Sequence, residues 1–597
     1  MTTNDQIADA FDELADLLEF QQANPFRVRA YRNAARTLRD LLEPLSEYAD
    51  SGRELTEIPG IGTDLSEKIQ TLLQTGQLPQ LEEIKTQIPA SVLQLLRVPG
   101  LGPKKAAALY RELKIENLSQ LRAACETGRV RDLKGFGQKT EQAILAGIPL
   151  AETANQRLLW AEADQIVHAL RQFLESSPAV ERLEFAGSYR RGKETVGDLD
   201  VLVVSHKPDQ VMDQLSAFDG GVDTIVRGET KMSVRVHGGF QVDLRVVEPD
   251  SFGAALQYFT GSKDHNVILR GRAKDRGLKI NEYGVYRVGE AGSKRRAKST
   301  HESEAERDGD SDGEWIAGRE EQDVYQALEL PWIPPELREG RQEFQWADAG
   351  KLPELITVDD LRGDLHMHTT ATDGTATLRE MVAAAQQRGL QYIAITDHSR
   401  RVTVAGGLQP EDVLKQWREI DQLQQELGTK FHVLKGIECD ILESGEMDLP
   451  DEVLAEADWV VASVHFGQRQ SRQQITDRIL GAIEHPSVNV IAHPTGRLLN
   501  RRDRYEVDID AVFAAAAKHH KMLELNANPR RLDLDDVHCA AAKQHGVLIV
   551  ISSDAHSTDG LDVLKYGVLQ ARRAGLEARD VANTRTWSAM KKLLKKD

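Results

Sequence analysis

Apolar runs alternate with helix-like segments along the C-terminal part of the chain, from about residue 361 onward. This alternation predicts parallel strands in an α/β fold. Seven such runs suggest a closed barrel, in which functional groups lie at the C-terminal ends of the strands. The predicted strands lie around residues 363–366, 391–396, 431–437, 458–464, 488–492, 521–525 and 547–552.

The first 335 residues follow a different pattern. Residues 1–150 read as short helices separated by glycines, and from about residue 181 the chain changes to β-rich runs such as LEFAGS and LDVLVVS. Residues 290–314 are charged and nearly free of large apolar side chains, which predicts a disordered insert because such a stretch cannot bury a core. The segment PWIPPELREG predicts a proline-rich connection to a domain that begins near residue 361.

The composition indicates several globular domains. The chain has 597 residues, of which 28% are charged and 40% hydrophobic. No apolar run approaches the roughly 20 residues of a membrane span, and the acidic, amphipathic N-terminus does not resemble a secretory signal. Cys125, Cys439 and Cys539 cannot form a disulfide framework and lie in no zinc-ligand spacing, so a reducing, cytoplasmic location is expected.

The formal net charge of −19 argues against nucleic-acid binding. However, charges are screened beyond ~8 Å at physiological salt, so a local basic face can still bind DNA. One candidate face lies in FRVRAYRNAARTLRD, where arginines recur at helical spacing. A charge run is usually a solvated helix face. This run has no acidic residue until Asp40, so we interpret it as a phosphate-binding face formed by Arg29, Arg32 and Arg36.

Three glycine turns precede helix-like segments in residues 1–150. A turn of this kind exposes backbone N–H groups at a helix N-terminus, where a phosphate is favoured. One copy could be an ordinary loop, but two close copies and a looser third favour the helix-hairpin-helix motif that they resemble, which contacts the DNA backbone. The glycines are Gly60 and Gly62, Gly100 and Gly102, and the looser pair in residues 133–137.

A glycine-serine loop and two aspartates form the strongest signal in the first 335 residues. Asp198 and Asp200 stand two apart in a β-run, so both carboxylates point to the same face. They would repel each other unless a divalent ion neutralises them. Asp243, in a later strand, could complete a cluster that holds two ions for phosphoryl transfer. An exposed acidic strand is the alternative, and the nearby loop Gly187-Ser188-Tyr189-Arg190-Arg191-Gly192 disfavours it.

These motifs resemble the nucleotidyltransferase palm of family X DNA polymerases, and the resemblance continues from Tyr258 through residues 280–283. It implies that Asp198, Asp200 and Asp243 are catalytic residues that bind two Mg or Mn ions. One departure is Gln241, which stands where eukaryotic relatives carry arginine. The further contacts that the resemblance implies are Ser188, Arg191 and Gly197 with the triphosphate, Tyr258 and Phe259 with the sugar, Asn266 with the base or sugar edge, and Arg270 with the template.

The same resemblance implies domain boundaries and a second activity. A lysine at the position of Lys68 forms a Schiff base in family members with deoxyribose-phosphate lyase activity. Nearby arginines could favour a nucleophilic amine, whereas Asp64, in place of a basic residue, acts in the opposite direction. The expected domains are a lyase-like hairpin domain (1–85), a fingers-type hairpin domain (86–150), the palm (151–255), a thumb-type domain (256–335), a linker (336–360) and a C-terminal domain (361–597).

The C-terminal domain carries nine candidate metal ligands, each at the end of a β-run. A single histidine is more often a core or surface residue, but nine strand-end residues are hard to explain that way. Their number suggests two or three ions, and their types suit Mn or Zn. They are His366, His368, Asp373, His398, Glu438, His465, His493, Asp554 and His556.

This pattern resembles the PHP (polymerase and histidinol phosphatase) domain, a seven-stranded, TIM-like β/α barrel with a trinuclear metal site. Metal ions in such a site would activate water for phosphoester hydrolysis. Because the domain is joined to a polymerase, the resemblance implies 3′–5′ exonuclease activity on DNA, with abasic-site cleavage as a further activity.

The sequence therefore predicts a repair enzyme with three kinds of region: a helical helix-hairpin-helix region, an α+β palm and a β/α barrel. The expected partners are gapped or primed DNA and dNTPs, with no membrane, and the chain is expected to act as a monomer. One alternative is an untemplated nucleotidyltransferase, which the hairpins, Asn266 and Arg270 disfavour. The other is a non-catalytic DNA-end scaffold, which the intact ligand sets disfavour.

Overall fold

The computed structural model consists of two compact units. One unit comprises residues 1–156 and 355–597, and the other comprises residues 157–354. Among the described residues, no helix combines the length and the apolarity that crossing a membrane requires. The structure describes residues 4–21, 23–40, 45, 48, 53–58, 60–88, 90–96, 98, 101–153, 157–218, 222–236, 240–288 and 313–594.

The N-terminal region is helical because its apolar residues recur every three or four positions. In α1, Ile7, Phe11, Leu14 and Leu18 share one buried face. One continuous core runs from Ile7 to residue 151, so the regions expected as separate domains (1–85 and 86–150) share a core. The helices are α1 (Asn4–Phe20), α2 (Pro25–Asp40), α3 (Thr63–Thr75), α4 (Pro79–Gln87), α5 (Ala90–Leu96), α6 (Pro103–Leu113), α7 (Leu118–Glu126) and α8 (Gln138–Thr153).

The second unit begins with a five-stranded sheet of order β2-β4-β7-β6-β5. Strands β4 and β7 are parallel, and the other neighbours are antiparallel. Alternation of buried and partly buried residues in β7 places one face on the core and leaves the other open. The helices and strands in this part of the unit are β1 (Leu158–Leu159), α9 (Trp160–Glu175), β2 (Arg182–Phe185), α10 (Gly187–Arg190), β3 (Thr195–Val196), β4 (Asp198–Val204), α11 (Pro208–Ser216), β5 (Asp223–Arg227), β6 (Lys231–Arg235) and β7 (Gln241–Val247).

Helices and a three-stranded sheet complete this unit. The sheet has the order β10-β9-β8 and is antiparallel throughout. The elements are α12 (Phe252–Thr260), α13 (Lys263–Asp275), β8 (Leu278–Asn281), β9 (Gly284–Arg287), β10 (Glu314–Ala317), α14 (Glu321–Gln326) and α15 (Glu343–Asp348).

Two predictions about this part of the chain need correction. Residues 290–312 of the predicted insert (290–314) lie outside the described residues, but Glu314 belongs to strand β10 and pairs with Arg287. The predicted linker 336–360 is largely folded, because Leu337 and Phe344 are buried and residues through 354 belong to the second unit. Polar and charged residues surround Leu337 and Phe344 in the sequence and concealed these buried positions.

The C-terminal part is a parallel sheet whose seven strands follow the order of the chain, as predicted. The amide of His368, after the first strand, donates to the carbonyl of Ala555, after the last, at 2.8 Å, so the barrel is nearly closed. The strands are β11 (Gly363–Asp364), β12 (Tyr392–Ile395), β13 (His432–Asp440), β14 (Trp459–Ser463), β15 (Val490–Ile491), β16 (Met522–Asn526) and β17 (Ile549–Ser552).

Amphipathic helices cover the barrel between its strands. In α17, for example, Val413, Trp417, Ile420 and Leu423 are buried at helical spacing. The helices are α16 (Leu378–Gln387), α17 (Pro410–Leu427), α18 (Asp451–Leu454), α19 (Arg472–Glu484), α20 (Ile509–Lys518), α21 (Asp536–Gln544), α22 (Leu564–Arg573) and α23 (Trp587–Leu593).

Candidate active sites

The three predicted palm carboxylates lie on one face of two parallel neighbouring strands. Asp198 and Asp200 lie in β4, and Asp200 is in register with Asp243 of β7. Asp198 is exposed, whereas Asp200 and Asp243 are partly buried. The pairing therefore brings together residues that are more than 40 positions apart in the sequence.

Electrostatics in this cluster favour a cation. Burial, followed by the charges of Asp198 and Asp243, raises the pKa of Asp200 to about 7. Burial and the charge of Asp243 also raise the pKa of Asp198. Because divalent ions would offset this repulsion, the carboxylates fit a metal site.

Gly187 is required by the geometry of the neighbouring loop. Its φ of +64° is one that other residues rarely adopt, and a Cβ there would lie 2.5 Å from Oδ2 of Asp200. The glycine thus lets the loop carrying Ser188 and Arg191 approach the carboxylates closely.

A cleft of about 480 Å³ adjoins the carboxylates. Arg191 lines this cleft. It donates from Nη1 to the carbonyl of Thr260 at 2.5 Å and from Nε to Glu339 at 3.1 Å. Asn266 donates to the carbonyl of Tyr258 at 2.8 Å. Of the predicted contacts, the lining includes Ser188, Arg191, Asp198, Asp200, Tyr258, Phe259, Asn266 and Arg270.

Sequence reasoning missed three basic residues of this cleft: Arg157, Lys193 and Lys263. Arg157 donates to the hydroxyl and the carbonyl of Thr195 at 2.9 and 2.7 Å. Its charge lowers the pKa of Asp198, against the larger effect of burial. No motif identified these residues, since isolated basic residues have no distinctive spacing.

The residues around Asp243 explain how the chain accommodates Gln241. Gln241 donates from Nε2 to Oδ2 of Asp243 at 3.0 Å, and the hydroxyl of Ser233 donates to Oδ1. A neutral amide thus contacts the carboxylate at this position.

Gly197, a predicted contact of the triphosphate, immediately precedes β4. A Cβ at this position would lie 2.9 Å from Nη1 of Arg157.

The three glycine turns of the N-terminal region are closed by the same backbone hydrogen bond. Gly60 has a φ of +80° and Gly135 a φ of +89°, so these positions favour glycine. The third turn, which is looser in sequence, therefore matches the first in the backbone conformation of its first glycine. The same backbone hydrogen bond closes each turn: Ile61 N to Ile58 O at 3.0 Å, Leu101 N to Val98 O at 2.9 Å and Phe136 N to Leu133 O at 3.0 Å.

The second glycines of these turns, Gly62, Gly102 and Gly137, immediately precede α3, α6 and α8. A Cβ at any of the three would meet no described atom within 4 Å. Contacts with described residues therefore do not explain glycine here, whereas close approach by an external backbone would. Gly100, also predicted to bind DNA, lies outside the described residues.

The predicted basic face on α2 is partly neutralised by α1. Arg32 donates to Asp16 and Glu19, both at 2.8 Å. Arg29 is exposed, with its guanidinium 4.7 Å from the centre of the Phe26 ring, and Arg36 lies on the same helix. Phosphate binding by these arginines stays a prediction, since Arg32 already has two acidic partners.

Lys68 lies one turn into helix α3. Its side chain is 17% exposed, and its ammonium pairs with Asp64 and lies 6.0 Å from the centre of the Tyr31 ring. The structure thus places an acid beside the amine, as the sequence indicated. A free nucleophilic amine would require this pair to open.

The nine predicted barrel ligands converge at the C-terminal ends of the strands. Three overlapping groups have ligand atoms within 4.8 Å of one another: His368, Asp373, His398 and His556; His366, His368 and Asp554; and His398, Glu438 and His465. The ninth residue, His493, lies with Nε2 3.1 Å from Oε1 of Glu438.

Glu438 lies at the centre of this cluster. Its Oε2 is 2.8 Å from Nδ1 of His398 and 3.4 Å from Nε2 of His366, and its Oε1 is 3.3 Å from Nε2 of His465. One carboxylate thus faces several imidazoles, an arrangement suited to a ligand shared between ions.

Unsatisfied atoms in the cluster fit bound metal. Leaving a buried polar atom without a hydrogen bond costs about 1–3 kcal/mol, so several in one place need an explanation. Coordination would satisfy them together. The buried atoms without a hydrogen bond among the described residues include Nε2 of His366, Nδ1 of His368 and Nδ1 of His493.

For two of the nine residues, His368 and Glu438, the shift of the pKa favours the form that binds metal. Burial, followed by the charges of His556 and His398, lowers the pKa of His368 to about 4. Burial raises the pKa of Glu438, but His465 and His398 outweigh it, and the pKa lies well below its usual value. A neutral imidazole and an ionised carboxylate are the forms that bind metal.

Sequence reasoning missed the residues that orient these ligands. Glu524, buried in β16, accepts from Nδ1 of His366 at 2.6 Å and from the amide of His493 at 2.7 Å. Asp440 accepts from the amide of His465 at 2.9 Å. Such partners fix the orientation of metal ligands. In the sequence, Glu524 is indicated by its position as an acidic residue within the apolar run MLELN.

The folds and sites define a class of protein that joins a nucleotidyltransferase palm and thumb to a metal-binding β/α barrel. Family comparisons match a segment of each region: "Helix-hairpin-helix domain" (2–78), "SAM-like Helix-hairpin-helix tandem" (92–148), "DNA polymerase beta palm" (157–229), "DNA polymerase beta thumb" (255–339) and "PHP domain" (364–528). The "DNA polymerase/3′-5′ exonuclease PolX" of Bacillus subtilis (strain 168) is 38% identical over 589 residues, 98% of each chain. The chain therefore belongs to the PolX family of DNA polymerases with a PHP domain.

Two further relatives match separate parts of the chain. DNA polymerase lambda of Rattus norvegicus is 26% identical over 337 residues, 53% of each chain. A "Probable phosphatase" of Thermoanaerobacter sp. (strain X514) is 30% identical over 232 residues, which are 37% of this chain and 89% of that protein. The PHP match ends at residue 528, so Asp554 and His556 join the cluster through the fold of the barrel.

Proposed function

We propose that the chain is a template-directed DNA polymerase that fills short gaps during DNA repair, with a 3′–5′ exonuclease and abasic-site cleavage activity in its PHP barrel. The observation that carries the polymerase proposal is the register of Asp200 with Asp243 beside a cleft lined by basic side chains. Membership of the PolX family supports both activities.

In the palm, Asp198, Asp200 and Asp243 would hold two Mg or Mn ions. When bound, such ions stabilise charge on the attacking and leaving oxygens of phosphoryl transfer. Ser188, Gly197 and Arg191 would bind the triphosphate of the incoming dNTP, since hydroxyl, amide and guanidinium donors suit phosphate oxygens. Tyr258 and Phe259 would contact its sugar.

The remaining side chains of the cleft would position the substrates. Nε2 of Gln257 donates to Oδ1 of Asn266 at 2.8 Å, which holds the Asn266 side chain in place. Asn266 would contact the edge of the base or sugar. Arg270 would contact the template strand in its minor groove. A pre-positioned donor loses less conformational entropy on binding, which favours correct alignment of the reacting groups.

In the barrel, the nine residues would hold two or three Mn or Zn ions. Ions at such a site lower the pKa of water and polarise a phosphoryl oxygen. Glu438 would be shared between ions, and Glu524 and Asp440 would keep His366, His493 and His465 in position. The proposed substrate is the 3′ end of a DNA strand.

A duplex with a one-nucleotide gap and a 5′ phosphate tests both activities. With a labelled primer and Mg²⁺ or Mn²⁺, we expect extension by one nucleotide that matches the template base. When dNTPs are withheld, we expect the primer to shorten. Extension without regard to the template would contradict templated synthesis, and a primer of constant length without dNTPs would contradict the exonuclease.

We also propose deoxyribose-phosphate lyase activity at Lys68. Its amine would condense with the C1′ aldehyde of an incised abasic sugar, releasing water and forming an imine. Borohydride reduction should then link the protein covalently to labelled DNA. The K68A variant should lose this adduct, whereas K85A, which changes a lysine of α4, should retain it. An adduct that persists in K68A would exclude Lys68 as the nucleophile.

A further inference from the structure

The hairpin region contacts the end of the barrel that carries the metal ligands. Arg501, in the segment after β15, donates to Asp12 of α1 at 3.4 Å. Helix α2 packs against a short 3₁₀ helix, Asp559–Val563, in the segment after β17. Both barrel segments follow the C-terminal ends of strands, where His493 and Asp554 also lie. The hairpins and the metal cluster therefore share one end of the barrel.

A third loop connects the metal cluster itself to the hairpins. It follows β14 and begins at His465, whose Nε2 lies 3.3 Å from Oε1 of Glu438. The buried Arg478 anchors this loop by donating to the carbonyl of Phe466 at 2.6 Å. Arg469 is exposed four residues after His465. An anchored loop that begins at a candidate metal ligand thus presents an exposed cation.

The charge of Arg469 acts on Lys105 of hairpin helix α6. The ammonium of Lys105 is 5.8 Å from the centre of the Phe136 ring, so this lysine also lies next to the third glycine turn. Burial, and after it the charge of Arg469, lowers the pKa of Lys105. Lys105 therefore lies at the second and third hairpins, and its electrostatic interaction with Arg469 links them to the loop after β14.

This pair of like charges has no acidic partner among the described residues. No ion pair there involves Lys105 or Arg469, although the chain has a net charge of −19. Two uncompensated cations that interact repel each other, and a nearby anion would offset that repulsion. The surface that carries Lys105 and Arg469, next to the second and third glycine turns, suits a nucleic-acid backbone.

We propose that Lys105 and Arg469 bind the phosphate backbone of a DNA strand held by the second and third hairpins, and that they direct its 3′ end into the barrel. This inference rests on the proposed exonuclease function. It assigns the hairpins a second role as the DNA-binding platform of the nuclease. The barrel of a phosphatase acting on small esters would need no such platform.

Charge reversal distinguishes DNA guidance from damage to the metal site. The kcat/KM for a labelled single-stranded oligonucleotide and for bis(p-nitrophenyl) phosphate would be measured for the parent protein, K105E and R469E. We expect each variant to lower the ratio of the first value to the second by about tenfold, the effect of losing one charged hydrogen bond. The dependence of DNA binding on salt should also decrease, by a slope of about 0.7 per lost phosphate contact.

R418E, which reverses an exposed arginine of barrel helix α17, serves as the matched control and should leave the ratio unchanged. The milder variants K105Q and R469Q, with thermal unfolding curves, would separate charge effects from loss of fold. An unchanged ratio in K105E and R469E, or an equal fall for both substrates, would overturn the inference. A parent protein that degrades no DNA would instead contradict the proposed exonuclease.

Discussion

The D200N and D198A variants are each expected to lower nucleotide incorporation by about 10³-fold or more, while primer shortening without dNTPs continues. The physical reason is the charge of the cluster. Asp198, Asp200 and Asp243 lie together on β4 and β7, and removing one negative charge weakens the binding of divalent ions. A 10³-fold loss corresponds to about 4 kcal/mol of transition-state stabilisation.

Single-turnover extension of a gapped duplex would measure this effect, with a titration of Mg²⁺. D209A, which removes an exposed carboxylate from α11, is the matched control and should extend the primer at the parent rate. Because the three carboxylates repel one another without bound ions, D200N should unfold at no lower temperature than the parent. Normal synthesis by D200N would show that the reaction centre lies elsewhere.

The reverse result is expected for H366A, H368A and E438Q. Each should lower the rate of primer shortening by about 10³-fold or more, with gap filling retained. Glu438 faces His366, His398, His465 and His493, so neutralising it removes the negative charge that the whole cluster shares. Loss of a shared ligand should release metal from the barrel as well as lower the rate.

Metal content of the purified protein, measured by plasma mass spectrometry, provides a readout that is independent of activity. We expect fewer ions per chain in E438Q than in the parent. H519A, a histidine after α20 that lies outside the cluster, is the matched control and should retain both metal and activity. If one substitution in either cluster abolished both activities in a folded chain, the two-site interpretation would be wrong.

Several predictions from the sequence depend only on neighbouring residues. Side chains alternate between the two faces of a β-strand, which places Asp198 and Asp200 on the same face. Alternation of strands and helices along the chain predicts the parallel barrel. The glycines at Gly60 and Gly62 mark a tight turn before a helix. Such features could be predicted because the backbone geometry of a short segment decides them.

Other features arise from residues that are far apart in the chain. The sequence suggested that Asp243 completes the cluster, but the parallel pairing of β4 and β7 decides which residue it opposes. Likewise, the spacing of arginines in the sequence predicts that Arg32 belongs to a phosphate-binding face, but packing of α1 against α2 gives it two acidic partners. Charge patterns along one helix cannot reveal the charges of its neighbour.

The sequence by itself therefore determined the kinds of domain, the candidate ligand residues and their placement at strand ends. Only the tertiary structure decided the hydrogen bond of Glu524 with His366, the basic lining from Arg157, and the interaction of Lys105 with Arg469. The physical reason is that periodicity and turn chemistry act over a few residues. Contacts between distant segments depend instead on the packing of whole elements, to which many weak interactions contribute together.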